Sequence, residues 1–216
     1  MKPKRAFTLT ELLVVIAIIA LLLAILTPFL ANARLRAKIL VTDAELGNIG
    51  LALEAYGMDN KNIFPPTRTD CNPDARPYMY ALPKELVNSG YMPGGKVGNV
   101  TFSKMEDKFN KNLPYKYITP GLRFDYYGTP TKQLLQISKG FPDNETGEYQ
   151  FYDDQKTSPV TWIIFSFGPK FDENNEVQDG YPVSKQFWYK PKTGSGIITC
   201  VRLKDTLQHI GTFKRD

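Results

Sequence analysis

The sequence predicts an α+β protein, in which a long N-terminal helix packs on a small antiparallel sheet. Three observations predict this. Every residue from 12 to 26 is apolar. Leu35, Ile39, Thr42, Leu46, Ile49, Leu53 and Tyr56 then recur in steps of four and three, which traces one face of a helix. The remainder holds short β-prone runs separated by Pro and Gly turns, the pattern of strands joined by short connections.

The first stretch is long enough to span a bilayer. A membrane core needs roughly 20 apolar residues as a helix, and only a helix or a closed barrel satisfies its own backbone there. Residues 7–31 carry one charge, Glu11, and Lys2, Lys4 and Arg5 precede them. Those cations hold the preceding end in the cytoplasm. A secretory signal fits poorly, because the apolar run is long and no A-x-A-like cleavage site precedes residues 28–34. A plain signal anchor leaves Glu11 unexplained, since a carboxylate in such a helix is costly.

The order basic leader, small residue, Phe7, Thr8, Leu9, Thr10, Glu11 and then an apolar helix resembles the leader of type IV pilins and type II secretion pseudopilins. The resemblance implies cleavage between Ala6 and Phe7 by a prepilin peptidase and methylation of the new N-terminus. It also implies retention of the helix for filament assembly. Ala6 stands where that family usually has Gly. Glu11 is implied to neutralise the Phe7 ammonium of a neighbouring subunit. Each of those charges alone is expensive in an apolar layer, and the pair is much less so. The competing reading places Glu11 among headgroups and water. Pro28 falls at the family's helix-kinking proline. It removes a backbone donor and crowds the carbonyl of Ala24, so a kink or local melting is expected there.

The chain divides on this reading into a leader (1–6), a hydrophobic transmembrane and assembly helix (7–31), an amphipathic helix (32–60) and a globular α+β head (61–216). The formal net charge of +5 falls to +2 once Lys2, Lys4 and Arg5 leave with the leader. The basicity is therefore a topology signal, and no nucleic-acid partner is expected. Leu40, Ala44, Gly47 and Leu51 are expected to widen the amphipathic stripe on one side. Gly47 and Gly50 weaken the helix and permit close approach. Ala52-Leu53, Tyr56, Asp59-Asn60 and Pro65 keep the spacing seen at the end of the major pseudopilin's helix, with Lys61 in place of its Gly. This favours the pseudopilin branch.

Residues 67–112 read as a loop-rich connection with a short helix within 80–90, Pro83 in its first turn and Gly90 at its cap. Strands are expected at 115–119, 123–127, 133–138, 160–167, 186–189 and 196–203. The segment 162–167 is the most buried and lies against Leu46, Ile49 and Leu53.

The segment 165–170 resembles the Ser-x-Gly stretch after a pseudopilin strand, where the following loop often binds calcium. Lys170 stands where that family has Asp. Asp172 and Asp179 are the first choices as ligands, in a loop of oxygen donors that otherwise reads as a solvated acidic turn. No cofactor is otherwise required. Cys71 and Cys200, the two cysteines, are a candidate disulfide or two buried thiols. No catalytic constellation is present: His209 is the one histidine, with no nucleophile near it in sequence. Phe124, Tyr126, Tyr127, Phe187, Trp188 and Tyr189 form a candidate face for sugar or single-stranded nucleic acid, although strand alternation sends some of them into the core.

The expected function is a structural subunit of a type II secretion pseudopilus or type IV pilus-like filament, and not an enzyme. The alternative is a minor pilin whose head binds a ligand in adhesion or DNA uptake. The implied partners are copies of itself, other pilins or pseudopilins, the prepilin peptidase, an inner-membrane assembly platform and the membrane. The implied location is the bacterial inner membrane, single-pass with the head periplasmic, and then the filament.

Overall fold

The computed structural model describes residues 8–68, 80–97, 100–125, 127–172, 178–206 and 208–213. The chain divides into two compact units, Met1–Leu40 and Val41–Asp216. One helix, α1 (Leu9–Asp59), enters both.

Within the first unit, α1 is apolar on every side from Leu12 to Leu26. Its richest 18-residue window has a mean hydropathy of 3.1. From Leu12 to Leu30 no large apolar side chain is less exposed than Val15, at 44%. A helix hydrophobic all round belongs in lipid or in the middle of a large assembly. Among the described residues this is the one helix long and apolar enough to cross a membrane. Helical structure continues through Pro28, so local melting does not occur there. The Thr27 hydroxyl donates to the Leu23 carbonyl at 2.7 Å, adding a bond next to the one that proline removes.

In the second unit the same helix becomes one-sided. Thr42, Leu46, Ile49 and Leu53 are buried, as the stripe predicts. The widening residues differ from expectation: Leu51 is 66% exposed, while Gly50, Ala52 and Gly57 are buried. Small residues serve because bulky rings occupy the space. A Cβ on Gly50 would lie 3.2 Å from Trp162, and one on Gly57 would lie 2.8 Å from the Phe64 ring. The helix ends in a left-handed turn at Lys61 (φ 56°) and Asn62 (φ 59°), with the Asn62 N–H donating back to the Gly57 carbonyl at 2.8 Å. That is a Schellman-type cap with lysine at a position glycine favours.

The central sheet is antiparallel in the order β11-β10-β9-β4, formed by His209–Gly211, Ile198–Leu203, Val160–Ser166 and Lys116–Ile118. Every residue of β9 and β10 is buried, because both faces of the sheet are covered. Trp162 meets α1 at Gly50. On the other face Ile163, Phe165 and Val201 join Leu135, Ile137, Val183, Phe187 and Ile197 in a second apolar layer.

The 67–112 connection holds more structure than a loop. It contains β1 (Thr67–Arg68), α2 (Lys84–Asn88) and the hairpin of β2 (Gly94–Val97) with β3 (Val100–Ser103). Pro83 is the N-cap of α2 rather than part of its first turn. The expected strand at 123–127 is β5 (Gly121–Phe124), which pairs in parallel with β1 and antiparallel with β6 (Pro130–Gln133). The expected strand at 133–138 is divided at Leu134 between β6 and β7 (Leu135–Ser138), and β7 pairs with β8 (Tyr149–Tyr152). The expected strand at 186–189 is instead a short 3-10 turn, Lys185–Phe187, with a single bridge from Trp188 to Ile197.

Candidate assembly site and its supporting head

Thr8 and Glu11 form a reciprocal capping box at the start of α1. The Thr8 hydroxyl accepts the Glu11 N–H at 3.2 Å, and Glu11 Oε2 accepts the Thr8 N–H at 2.9 Å. The Thr8 hydroxyl also donates to Glu11 Oε2 at 2.7 Å. T-x-x-E is a helix-start signature, so this role was present in the sequence beside the charge-pairing one. The Glu11 carboxylate therefore satisfies one backbone donor, that of Thr8, in its own chain while remaining exposed. The cleavage pair Ala6 and Phe7 lies outside the described residues.

Two glutamates of α1, Glu54 and Glu45, make polar contacts with the rest of the head that the sequence did not single out. Glu54 Oε1 lies 2.7 Å from Arg202 Nε and 3.0 Å from His209 Nε2. Arg202 also donates to the Thr161 hydroxyl at 3.0 Å, and its guanidinium covers the Phe64 ring at 4.9 Å. Burial works against the Glu54 charge. The hydrogen bond from His209 and the Arg202 guanidinium outweigh that effect and hold its carboxyl below the usual value. His209 is thus a structural residue, edge-on to Trp162 at 5.0 Å. Nearer the N-terminus of α1, Glu45 accepts from the Tyr115 hydroxyl at 2.6 Å and pairs with Lys108 at 2.8 Å. Burial, followed by the Glu45 contact, pushes the Tyr115 phenol far above its ordinary range.

The segment after β9 owes its shape to Ser166, whose hydroxyl donates to buried Asp107 at 2.7 Å and accepts the Gly168 N–H at 3.0 Å. Gly168 sits at φ +66°, where a Cβ would collide with the Gly196 carbonyl. Beyond it, Asp172 and Asp179 are exposed, and the rings of Phe171 and Tyr181 stack at 5.9 Å across the base of their loop. Residues 173–177 lie outside the described residues, as does Cys71. Cys200 is buried on β10 opposite Ile164 and Gly211. The candidate aromatic face is dispersed: Phe187 and Trp188 are core, Tyr127 is 85% exposed, and Phe124 lies under the Arg68 guanidinium. Tyr126 lies outside the described residues. Among those residues no group of three or more His, Cys, Asp or Glu is arranged to hold a metal.

Residues 1–27 match the family model of the prokaryotic N-terminal methylation motif. The chain is 47% identical over 62 residues to the type IV wide pilus major component PilA4 of Thermus thermophilus, a match covering 29% of this chain and 47% of that protein. It therefore spans about half the length of that relative. It is 28% identical over 132 residues to the type II secretion system core protein G of Pseudomonas aeruginosa, covering 58% of this chain and 82% of that protein. No solved structure matches the chain at a significant level. The chain thus opens with a prokaryotic N-terminal methylation motif on an exposed apolar helix, and over part of its length it is similar to a type IV pilus component and to a type II secretion core protein.

Proposed function

We propose that this chain is a structural subunit of a type II secretion pseudopilus. It is cut before Phe7 by a prepilin peptidase, methylated there and drawn from the bacterial inner membrane into a filament by packing of α1. The N-terminus faces the cytoplasm before assembly and the head faces the periplasm. The observation that carries this reading is the unpartnered apolar helix: residues 12–30 have no protein against them, and Glu11 is the one charge at their start. A bilayer supplies that environment first, and helices of other subunits supply it next. Glu11 then pairs with the Phe7 ammonium of a neighbour, which sets the stagger between subunits. The work of assembly comes from a membrane platform, and the chain itself performs no chemistry.

The match to protein G across most of that protein's length supports the secretion branch. The identity to the wide-pilus component, confined to 62 residues, supports a type IV pilus as the second reading. Co-expression with a prepilin peptidase, followed by intact mass and N-terminal sequencing, tests the proposal. Methylated Phe7 at the N-terminus supports it, together with a Glu11→Val variant that is cut but absent from filaments. Retention of Met1, or cleavage beyond Pro28, overturns it.

Calcium belongs to the same proposal. The all-oxygen donors Asp172 and Asp179 suit a hard cation, and the Phe171/Tyr181 stack holds the loop ends together. Calcium at a hundred times its dissociation constant stabilises a folded protein by about 2.7 kcal/mol. Thermal melting should rise with calcium and lose that response in Asp179→Ala. A melt indifferent to calcium removes this part.

A further inference from the structure

A cavity of about 370 Å³ opens on the head between the β7–β8 hairpin and the turn at Lys185–Phe187. Its walls are tied across forty residues of sequence. Glu145 Oε1 accepts the Lys185 N–H at 3.0 Å, Glu145 Oε2 accepts the Ser184 hydroxyl, and Lys185 Nζ donates to the Pro142 carbonyl. The Tyr149 ring packs close to Gly180, where a Cβ would lie 2.6 Å from it. The cavity is therefore preformed rather than a gap between loose loops.

Several groups lining it are unused. Ser138 is 3% exposed, and its hydroxyl is buried with no hydrogen-bond partner. A buried hydroxyl left unpaired costs free energy, so such a group calls for a partner that the protein alone does not supply. The Asp143 carboxylate lines the same space. Gln186 spends its amide N–H on the Asp179 carbonyl at 3.4 Å and keeps its oxygen free. Tyr149 adds a flat aromatic surface.

We propose that this cavity binds a neutral saccharide of one or two residues. Sugar hydroxyls both donate and accept. They can donate to Asp143 and Gln186, and accept from or donate to Ser138, while a sugar's C–H face stacks on Tyr149. Two carboxylates facing one lysine disfavour a phosphate or other anion. The charged groups Asp143, Glu145 and Lys185 in the lining disfavour a lipid chain. The site lies wholly in the head and does not depend on cleavage or on filament assembly.

Saturation-transfer NMR on the full chain in detergent micelles tests this, with maltose, cellobiose and N,N′-diacetylchitobiose as probes. At least one should receive saturation from the protein. Binding should weaken about ten-fold or more in Asp143→Asn, the loss expected for a hydrogen bond to a charged group. Ser138→Ala should weaken binding while leaving the melting temperature unchanged or raised, since it removes an unpaired polar atom. Three results overturn the proposal: no transfer to any probe, transfer unaffected by both substitutions, or transfer to spermidine in preference to the sugars. Intact mass of the same preparations reports Phe7 processing separately, so a failure here is distinguishable from a failure of the assembly reading.

Discussion

The two stretches of α1 obey the same backbone geometry and opposite solvent rules. From Leu12 to Leu30 the helix is apolar on every face, and its side chains are exposed. After Val41 it keeps a stripe of Thr42, Leu46, Ile49 and Leu53 that the sheet covers completely. The difference teaches that helix type is decided by the distribution of apolar residues around the axis, not by their number. The first stretch can be satisfied only from outside the chain, whereas the second is satisfied from within.

The largest expected effect breaks that comparison directly. Leu46→Ala should destabilise the head by about 2–5 kcal/mol, as a buried leucine does, whereas Ile16→Ala should leave head melting unchanged and reduce filament recovery. Calorimetry and filament yield on both variants check this, and equal losses of head stability would abolish the distinction. Next comes the charged tie between helix and sheet. Glu54→Gln should cost about 1–3 kcal/mol, through loss of the ion pair with Arg202 and weakening of the hydrogen bond with His209. The Glu54 carboxyl is depressed in the folded protein, so its contribution is fully present above the unfolded carboxylate pKa and is lost as pH falls through the folded value. Urea melts from pH 7 down to pH 3 should show that loss in the native chain and a flatter profile in the variant. A still smaller effect concerns the end of the stripe. Lys61→Gly should raise stability by about 1 kcal/mol, because lysine at φ 56° carries a left-handed strain that glycine does not. A lower melting temperature in that variant would show that Lys61 makes a compensating contact.

Much of this was legible in the sequence because the signals were local. The apolar run, the four-three stripe and the buried segment at 160–167 each declare themselves within a few turns or one strand. The Glu54, Arg202 and His209 cluster was not legible. Glu54 and His209 are 155 residues apart, and nothing in a helical stripe marks which exposed-looking glutamate faces a distant strand. The expected strand at 186–189 failed for a related reason. Phe187 and Trp188 are buried as core residues, but a short apolar run does not distinguish a strand from a buried turn. Strands β8 and β11 escaped because no residue of Tyr149–Tyr152 is buried and His209–Gly211 is three residues long. At the candidate assembly site the T-x-x-E spacing of Thr8 and Glu11 encodes the box locally, whereas a charge at the head of an apolar run encodes pairing between subunits equally well.

Strand β9 belongs to two cores at once, with Trp162 on the helix side and Ile163 and Phe165 on the other. A layer shared in this way cannot be lost from one side and kept on the other, because each core supplies half the burial of the same backbone. Cooperativity is therefore built into the order of the layers. The head should melt in one calorimetric transition, with van't Hoff and calorimetric enthalpies in agreement. Damage to the helix-facing side should reach the far layer without any contact between them.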